Sequence, residues 1–255
     1  MPDTMTDTGL EAVRRPTVAL GTITPSGNVV VERVTVAILA DFPAVSGHFS
    51  RTEVVGRSDA YAGDYDWDGM MRAALLLSHA RPAAICWNGS KGGSLGFGVD
   101  RALCARILAE TGIPATTSTL AMDAALRARG LRRLALVTPY TPAYAAKIPP
   151  VFAEAGYEVV AEAHAGLEDN LAYAALPDAD ILAMVRSTAA ARPDAILAYC
   201  TNLPAAHLVG GLERELGIPV LDSTSAGVWG ALRVAGQPTA PGRRWGSLFG
   251  QDLAL

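Results

Sequence analysis

The chain spells out one structural unit twice. Ala83-Ala84-Ile85-Cys86-Trp87-Asn88-Gly89-Ser90 and Ala195-Ile196-Leu197-Ala198-Tyr199-Cys200-Thr201-Asn202 are apolar runs with polar ends. Each follows an Arg-Pro pair, Arg81-Pro82 and Arg192-Pro193. Each leads into a helical pattern that stops at Gly-Ile-Pro, at 112–114 and at 217–219. Ser118-Thr119 follows the first stop and Ser223-Thr224 the second, at one fixed offset. Upstream, Ala19-Leu20-Gly21-Thr22 is echoed by Ala135-Leu136-Val137-Thr138. Gly-Ile-Pro alone is an ordinary way to leave a helix, but several echoes in one order point to two similar halves.

The periodicity predicts strands at 17–23, 49–55, 82–87 and 115–117, then at 134–137, 157–163, 195–199 and 220–222. Helices are expected at 29–39, 68–79, 99–110 and 122–129, then at 143–155, within 178–192, and at 205–216 and 226–234. Strands alternating with helices imply parallel sheets joined by right-handed crossovers. Continuous apolar strands suit a sheet covered on both faces. The fold class expected is therefore α/β, with two pseudo-symmetric Rossmann-like halves and an active site in the cleft between them. Residues 16–130 would form the N-terminal half, completed by about 220–236, and 131–219 the C-terminal half. Residues 1–15 read as a loose leader. The crevice at the carboxyl ends of parallel strands is the usual ligand site.

Composition narrows the function classes. With 50% hydrophobic and 18% charged residues, the chain can fill a substantial core. A net charge of -4 gives no reason to invoke nucleic acid or an anionic membrane as partner. No apolar stretch reaches a membrane span, and the polar, acidic first residues lack an apolar targeting core, so a cytoplasmic location is expected. Three cysteines without disulfide spacing fit a reducing compartment. His48, His79, His164 and His207 show no metal spacing. The glycine-rich stretch 88–96 has neither phosphate-loop nor dinucleotide order, and there is no GxSxG elbow. No metal and no cofactor are expected.

What remains is a thiol at the tip of the second strand and an amide at the tip of the first. Cys200 lies between a strand and a helix, where backbone N–H groups favour negative charge and lower a thiol's pKa. It could lend and recover a proton; the alternative is a buried structural cysteine. Cys104 reads as core. Cys86 shares a face with Asn88 but lies deeper. Gly89 and Ser90 open a glycine-rich loop whose N–H groups could cradle a carboxylate. Thr24-Pro25-Ser26-Gly27-Asn28 and Thr138-Pro139-Tyr140-Thr141 sit at other strand ends and offer hydroxyl and amide groups. Glu168-Asp169-Asn170 is a solvated loop unless it reaches the cleft.

These residues resemble the Asp/Glu racemase superfamily, and more closely its branch of maleate cis-trans isomerases and arylmalonate decarboxylases. The resemblance covers roughly 16–236. Gly21-Thr22-Ile23-Thr24-Pro25-Ser26-Gly27-Asn28 is similar to the isomerases' Pro-Ser-x-Asn loop, which implies Asn28 as a substrate ligand. Thr138-Pro139-Tyr140 is similar to their tyrosine loop, which implies that the Tyr140 phenol binds a carboxylate. Asp169-Asn170 implies a further contact from Asn170. Tyr199-Cys200-Thr201-Asn202 is similar to the second-half cysteine motif, with Thr201 and Asn202 beside the substrate. Racemases and isomerases of this superfamily carry a first-half cysteine as well. Counting back from Gly96 puts Asn88 there, and an amide can neither attack an alkene nor deprotonate a carbon acid. Arylmalonate decarboxylases have glycine at that position and one cysteine only.

The resemblance therefore implies a single-cysteine decarboxylase of a small dicarboxylic acid, needing no cofactor, with an enediolate protonated by Cys200. Gly89, Ser90 and Tyr140 would stabilise that enediolate. Three alternatives stay open: a maleate isomerase or racemase in which Cys86 or a water replaces the missing thiol, an ectoine-utilisation type protein, and a non-catalytic dicarboxylate-binding homologue. The resemblance also implies a homo-oligomer, a dimer, and the apolar segment 29–39 could pack inside or against another subunit.

Overall fold

The computed structural model describes residues 17–54 and 63–250; the leader read at 1–15 lies outside them. Eight strands form two parallel sheets of four. β1 (Val18–Pro25), β2 (Val45–Thr52), β3 (Ala84–Trp87) and β4 (Ala115–Thr117) make the first, in the order β2-β1-β3-β4. β5 (Arg133–Tyr140), β6 (Glu158–Leu167), β7 (Ala195–Ala198) and β8 (Val220–Asp222) make the second, in the order β6-β5-β7-β8. The two orders coincide once the halves are aligned, so the duplication read in the sequence is a duplication of topology.

Backbone conformation repeats too. Arg81 and Arg192 each have φ 50, the two non-glycine residues with positive φ among those described. That conformation is costly for a side chain with a Cβ. Each occurs immediately before a proline that turns the chain into the central strand. Gly112 and Gly217 close matching helices, Phe97–Thr111 and Val209–Leu216, at φ 71 and φ 66. This is the left-handed cap that glycine supplies without a Cβ penalty.

β3 and β7 are buried along their whole length, as sheets covered on both faces require. Burying each large aliphatic side chain there contributes about 1.5–3 kcal/mol. The edge strand β2 differs from its expected position at 49–55: it runs Val45–Thr52, with Ser46, His48 and Ser50 along it. Pairing with β1 from Val45 opposite Val18 fixes it, and a polar edge strand leaves no apolar run to read.

The helix expected at 143–155 is two, Pro142–Ala145 and Ile148–Glu154. Pro149 and Pro150 have no N–H to donate to the carbonyls of Ala145 and Ala146, so one helix cannot run through. The helix Ser223–Val234 is buried from Ser223 to Leu232 and packs on Ser118–Ala128, β3 and β4. The end of the chain thus returns to the first sheet. Arg244 and Trp245 both donate to Asp41 Oδ2, at 2.7 and 2.9 Å, and tie the tail to the end of helix Val31–Leu39. Among the described residues no helix is long and apolar enough to cross a membrane.

Candidate active site

A cavity of about 290 Å³ opens where the carboxyl ends of the central strands of both sheets meet. Pro25 ends β1, Trp87 ends β3, Tyr140 ends β5, and Cys200 follows β7; all four line it. Each half therefore presents its two middle strand tips to one space, as the duplicated topology dictates.

Register decides which first-half residue faces Cys200. The N–H of Asn88 donates to Ile23 of β1 at 2.9 Å, and the N–H of Tyr199 donates to Val137 of β5 at 2.8 Å. These are the same bond in the two sheets, so Asn88 matches Tyr199 and Gly89 matches Cys200. The expectation that Asn88 stands opposite the thiol is corrected by one residue. Asn88 does not line the cavity. Its Nδ2 donates to the Thr224 carbonyl at 3.2 Å, and its amide lies where a Cβ on Gly227 would meet it at 2.6 Å. It joins the first sheet to helix Ser223–Val234, outside the lining where a substrate contact was expected.

Cys200 is 4% exposed. The Asn202 N–H donates to its sulfur at 3.3 Å, and the Tyr140 phenol and the Leu203 N–H, which also donates to the Cys200 carbonyl at 3.1 Å, lie near enough to favour its thiolate. The sequence suggests a lowered thiol pKa at such a junction, but the balance goes the other way. Burial, the largest influence, pushes Cys200 up to about 11 against the lowering effect of those donors. At neutral pH the group therefore rests as a thiol and not as a thiolate. Its neighbour Tyr140 is also held protonated, first by burial and then by the nearby Cys200. The Tyr140 hydroxyl lies 3.0 Å from Ser90 Oγ, so a continuous hydroxyl and thiol array runs from Ser90 through Tyr140 to Cys200.

Asn28, Gly89, Ser90, Asn170 and Thr201 all line the cavity. Asn28 is fixed at both ends. Its Oδ1 accepts from the N–H groups of Val30 and Val31, each at 2.8 Å, at the start of helix Val31–Leu39, and its Nδ2 donates to Thr201 Oγ1 at 3.2 Å. Thr201 is held in turn where its carbonyl accepts from Thr224 Oγ1 at 2.9 Å. Asn202 lies behind the lining. Its Oδ1 accepts from the Val29 N–H at 3.0 Å and its Nδ2 donates to the Asn170 carbonyl at 2.5 Å. It holds the Asn28 and Asn170 loops against the Cys200 turn, outside the lining where a substrate contact was expected. The loop 168–170 does reach the cleft, through Glu168 and Asn170. Cys86 is buried inside β3, absent from the lining, and pushed well up by burial.

Several lining residues escape sequence reasoning: Trp87, Lys91, Tyr144, Lys147 and Tyr173. The Tyr140 ring meets Tyr144 edge-on at 4.8 Å between centroids and Tyr173 at 5.6 Å. Lys147 Nζ stands 5.4 Å from the centroid of Tyr144. Two ammonium groups against one carboxylate give the wall a positive balance that favours an anionic ligand. The available signal was position: Lys91 lies in the glycine-rich loop, and Tyr144 and Lys147 follow the tyrosine loop within one short helix and its end.

Comparison with known proteins adds to this geometry. A family model described as arylmalonate decarboxylase matches residues 69–249. A maleate isomerase of Nocardia farcinica (strain IFM 10152) is 31% identical over 246 residues, covering 92% of this chain and 97% of that protein. An arylmalonate decarboxylase of Bordetella bronchiseptica is 31% identical over 159 residues, 62% of this chain and 66% of that protein. The crystal structure of a variant of the maleate isomerase Iso from Pseudomonas putida S16 with maleate superposes with a TM-score of 0.83 at 26% identity, covering 92% of this chain and 98% of that one.

Proposed function

The chain belongs to the arylmalonate decarboxylase family, in the branch of the Asp/Glu racemase superfamily shared with maleate isomerases, and from this we propose that it is a cofactor-independent decarboxylase of small malonate-like dicarboxylic acids. The observation that carries the reading is the match of Gly89 with Cys200. Both strand tips face the cavity, and one of them bears a thiol while the other bears no side chain.

One substrate carboxylate would take hydrogen bonds from the Tyr140 phenol, the Ser90 hydroxyl and the Gly89 loop, with Asn28, Asn170 and Thr201 alongside. The second would lie toward the apolar lining residues Trp87 and Val54, which pack in one cluster. An ionised carboxylate is poorly solvated there, which favours its departure as neutral carbon dioxide. The carbon–carbon bond breaks heterolytically, and its electron pair passes into the remaining carboxylate as an enediolate. Donors already aimed at that oxyanion contribute roughly 3 kcal/mol each.

The Cys200 S–H then gives its proton to the α-carbon. The thiolate left behind meets the N–H groups of Asn202 and Leu203, and the Tyr140 hydroxyl turns to it once the enediolate charge is gone, which lowers the cost of forming it. Water entering as product leaves restores the proton. A thiol that rests protonated yet has neighbouring donors to receive its thiolate suits a single proton delivery. All three cysteines are free, which fits a reducing, cytoplasmic setting.

The nearly full-length likeness to a maleate isomerase favours a second reading, cis-trans isomerisation of an unsaturated dicarboxylate. Addition to an alkene calls for a thiolate, and the raised pKa of Cys200 disfavours one at rest. Parallel incubation with α-substituted malonates and with maleate separates the readings. Carbon dioxide release from a malonate, lost in Cys200→Ala, is the expected result. Fumarate from maleate, with no carbon dioxide from any malonate, would put the isomerase in its place.

A further inference from the structure

The space a first-half thiol would need is filled by an indole. Trp87 ends β3, two residues before Gly89, and folds back over it while forming part of the cavity wall. A Cβ placed on Gly89 would fall within the indole itself, against Cζ2 and Cε2, with Cη2 at 2.8 Å. A methyl group there, let alone a thiol, requires the ring to move.

The ring is held. Trp87 Nε1 donates to the Tyr65 hydroxyl at 3.1 Å, and that hydroxyl donates to Asp100 Oδ1 at 2.6 Å. Asp100 is fully buried, and its Oδ2 accepts from Thr117 Oγ1 at 2.5 Å. The Tyr65 and Trp87 rings also pack edge to face, with centroids 5.9 Å apart at 81°. A buried carboxylate whose oxygens are both engaged leaves this chain of bonds little freedom.

We propose that Trp87, positioned by Tyr65 and Asp100, keeps position 89 free of any side chain, so that the Cys200 side alone offers the substrate a proton donor. It excludes any side chain at position 89 and closes that side of the cavity with hydrocarbon. The inference rests on the decarboxylase reading for its chemical consequence, while its steric premise stands independently of any activity.

The test is a double-mutant cycle over Trp87→Leu and Gly89→Cys, read by melting temperature and by the handedness of the product. Overpacking should make Gly89→Cys alone lower the melting temperature by roughly 5 °C or more, with product still of one hand. In the Trp87→Leu background the same substitution should cost little and yield product of both hands. Trp87→Phe provides a second background should leucine leave the core too loose to fold, because it removes the Tyr65 bond and trims the ring. Gly89→Cys that melts with the parent, or equal costs in all backgrounds, would overturn the proposal. So would product of one hand from a stable double variant. If the parent releases no carbon dioxide, the decarboxylase reading fails, and the melting cycle still decides whether Trp87 excludes a side chain at 89.

Discussion

Gly89 and Cys200 hold the same register position in two copies of one sheet, and both face a single cavity. The residues before them, Asn88 and Tyr199, make the same backbone bond to β1 and β5. A duplicated scaffold offers two equivalent seats for a reactive group, and this chain fills one. On the decarboxylase reading proposed above, a carbanion formed between these two seats would be protonated from the Cys200 side.

Removing the donor should therefore remove turnover. Cys200→Ala is expected to lose about 10²–10⁴ in kcat, the usual range for a positioned acid. Binding of a dicarboxylate should persist, because the Ser90, Tyr140 and Asn28 contacts remain. Calorimetry alongside a carbon dioxide assay checks both halves of that statement.

Tyr140 serves the thiol and Ser90 together. Tyr140→Phe should lower kcat by about 10²–10³, as the loss of one oxyanion donor does. It should also raise the Cys200 pKa further, since the phenol is the strongest of the influences lowering it. Alkylation of Cys200 at a fixed pH near 9, followed by peptide mass spectrometry, should be slower in the variant than in the parent.

Asn202 pins two loops that carry site residues. Asn202→Ala leaves the Val29 N–H and the Asn170 carbonyl without that partner, which should cost about 1–3 kcal/mol. Chemical denaturation measures the loss. A fall in kcat/KM larger than the fall in kcat would follow from looser Asn28 and Asn170 loops.

Two buried carboxylates set a pH dependence of stability. Burial pushes Asp100 and Asp222 up from 3.8 to about 6, against hydrogen bonds that lower them. A folded pKa above the unfolded one means the fold favours the protonated form. Their contribution is then complete below about pH 4 and is lost as pH rises through 6. The melting temperature should be roughly 3–8 °C higher at pH 5 than at pH 7.5. Asp222→Asn, which keeps the acceptor for the Ser225 N–H at the start of helix Ser223–Val234, should flatten the slope. A melting temperature that climbs steadily to pH 8 would contradict this.

The duplication was legible because its marks are backbone requirements. Arg81 and Arg192, Gly112 and Gly217 repeat as residues because they repeat as conformations. That Cys200, Tyr140 and Asn28 would reach one cavity was legible because they sit at strand ends, where parallel sheets open their crevice. Asn88 was misplaced because the count ran back from the glycine-rich loop, whose length differs from its counterpart. Counting forward from Pro82 and Pro193 gives the register the sheets adopt. Trp87 was hidden because a tryptophan in an apolar run reads as core. Its role depends on the ring folding back over Gly89, a side-chain direction that no spacing records. Tyr173 and Lys147 come to the cavity from short helices broken by loops and prolines, where periodicity carries little signal.

Deuterium labelling of the product puts the single-donor chemistry to the test. Turnover of an α-substituted malonate in D₂O should place one deuterium on the α-carbon, in product of one hand, and the Cys200→Ala variant should form none of it. Deuterium delivered to both faces, or delivered at an undiminished rate without the Cys200 thiol, would contradict protonation by that thiol.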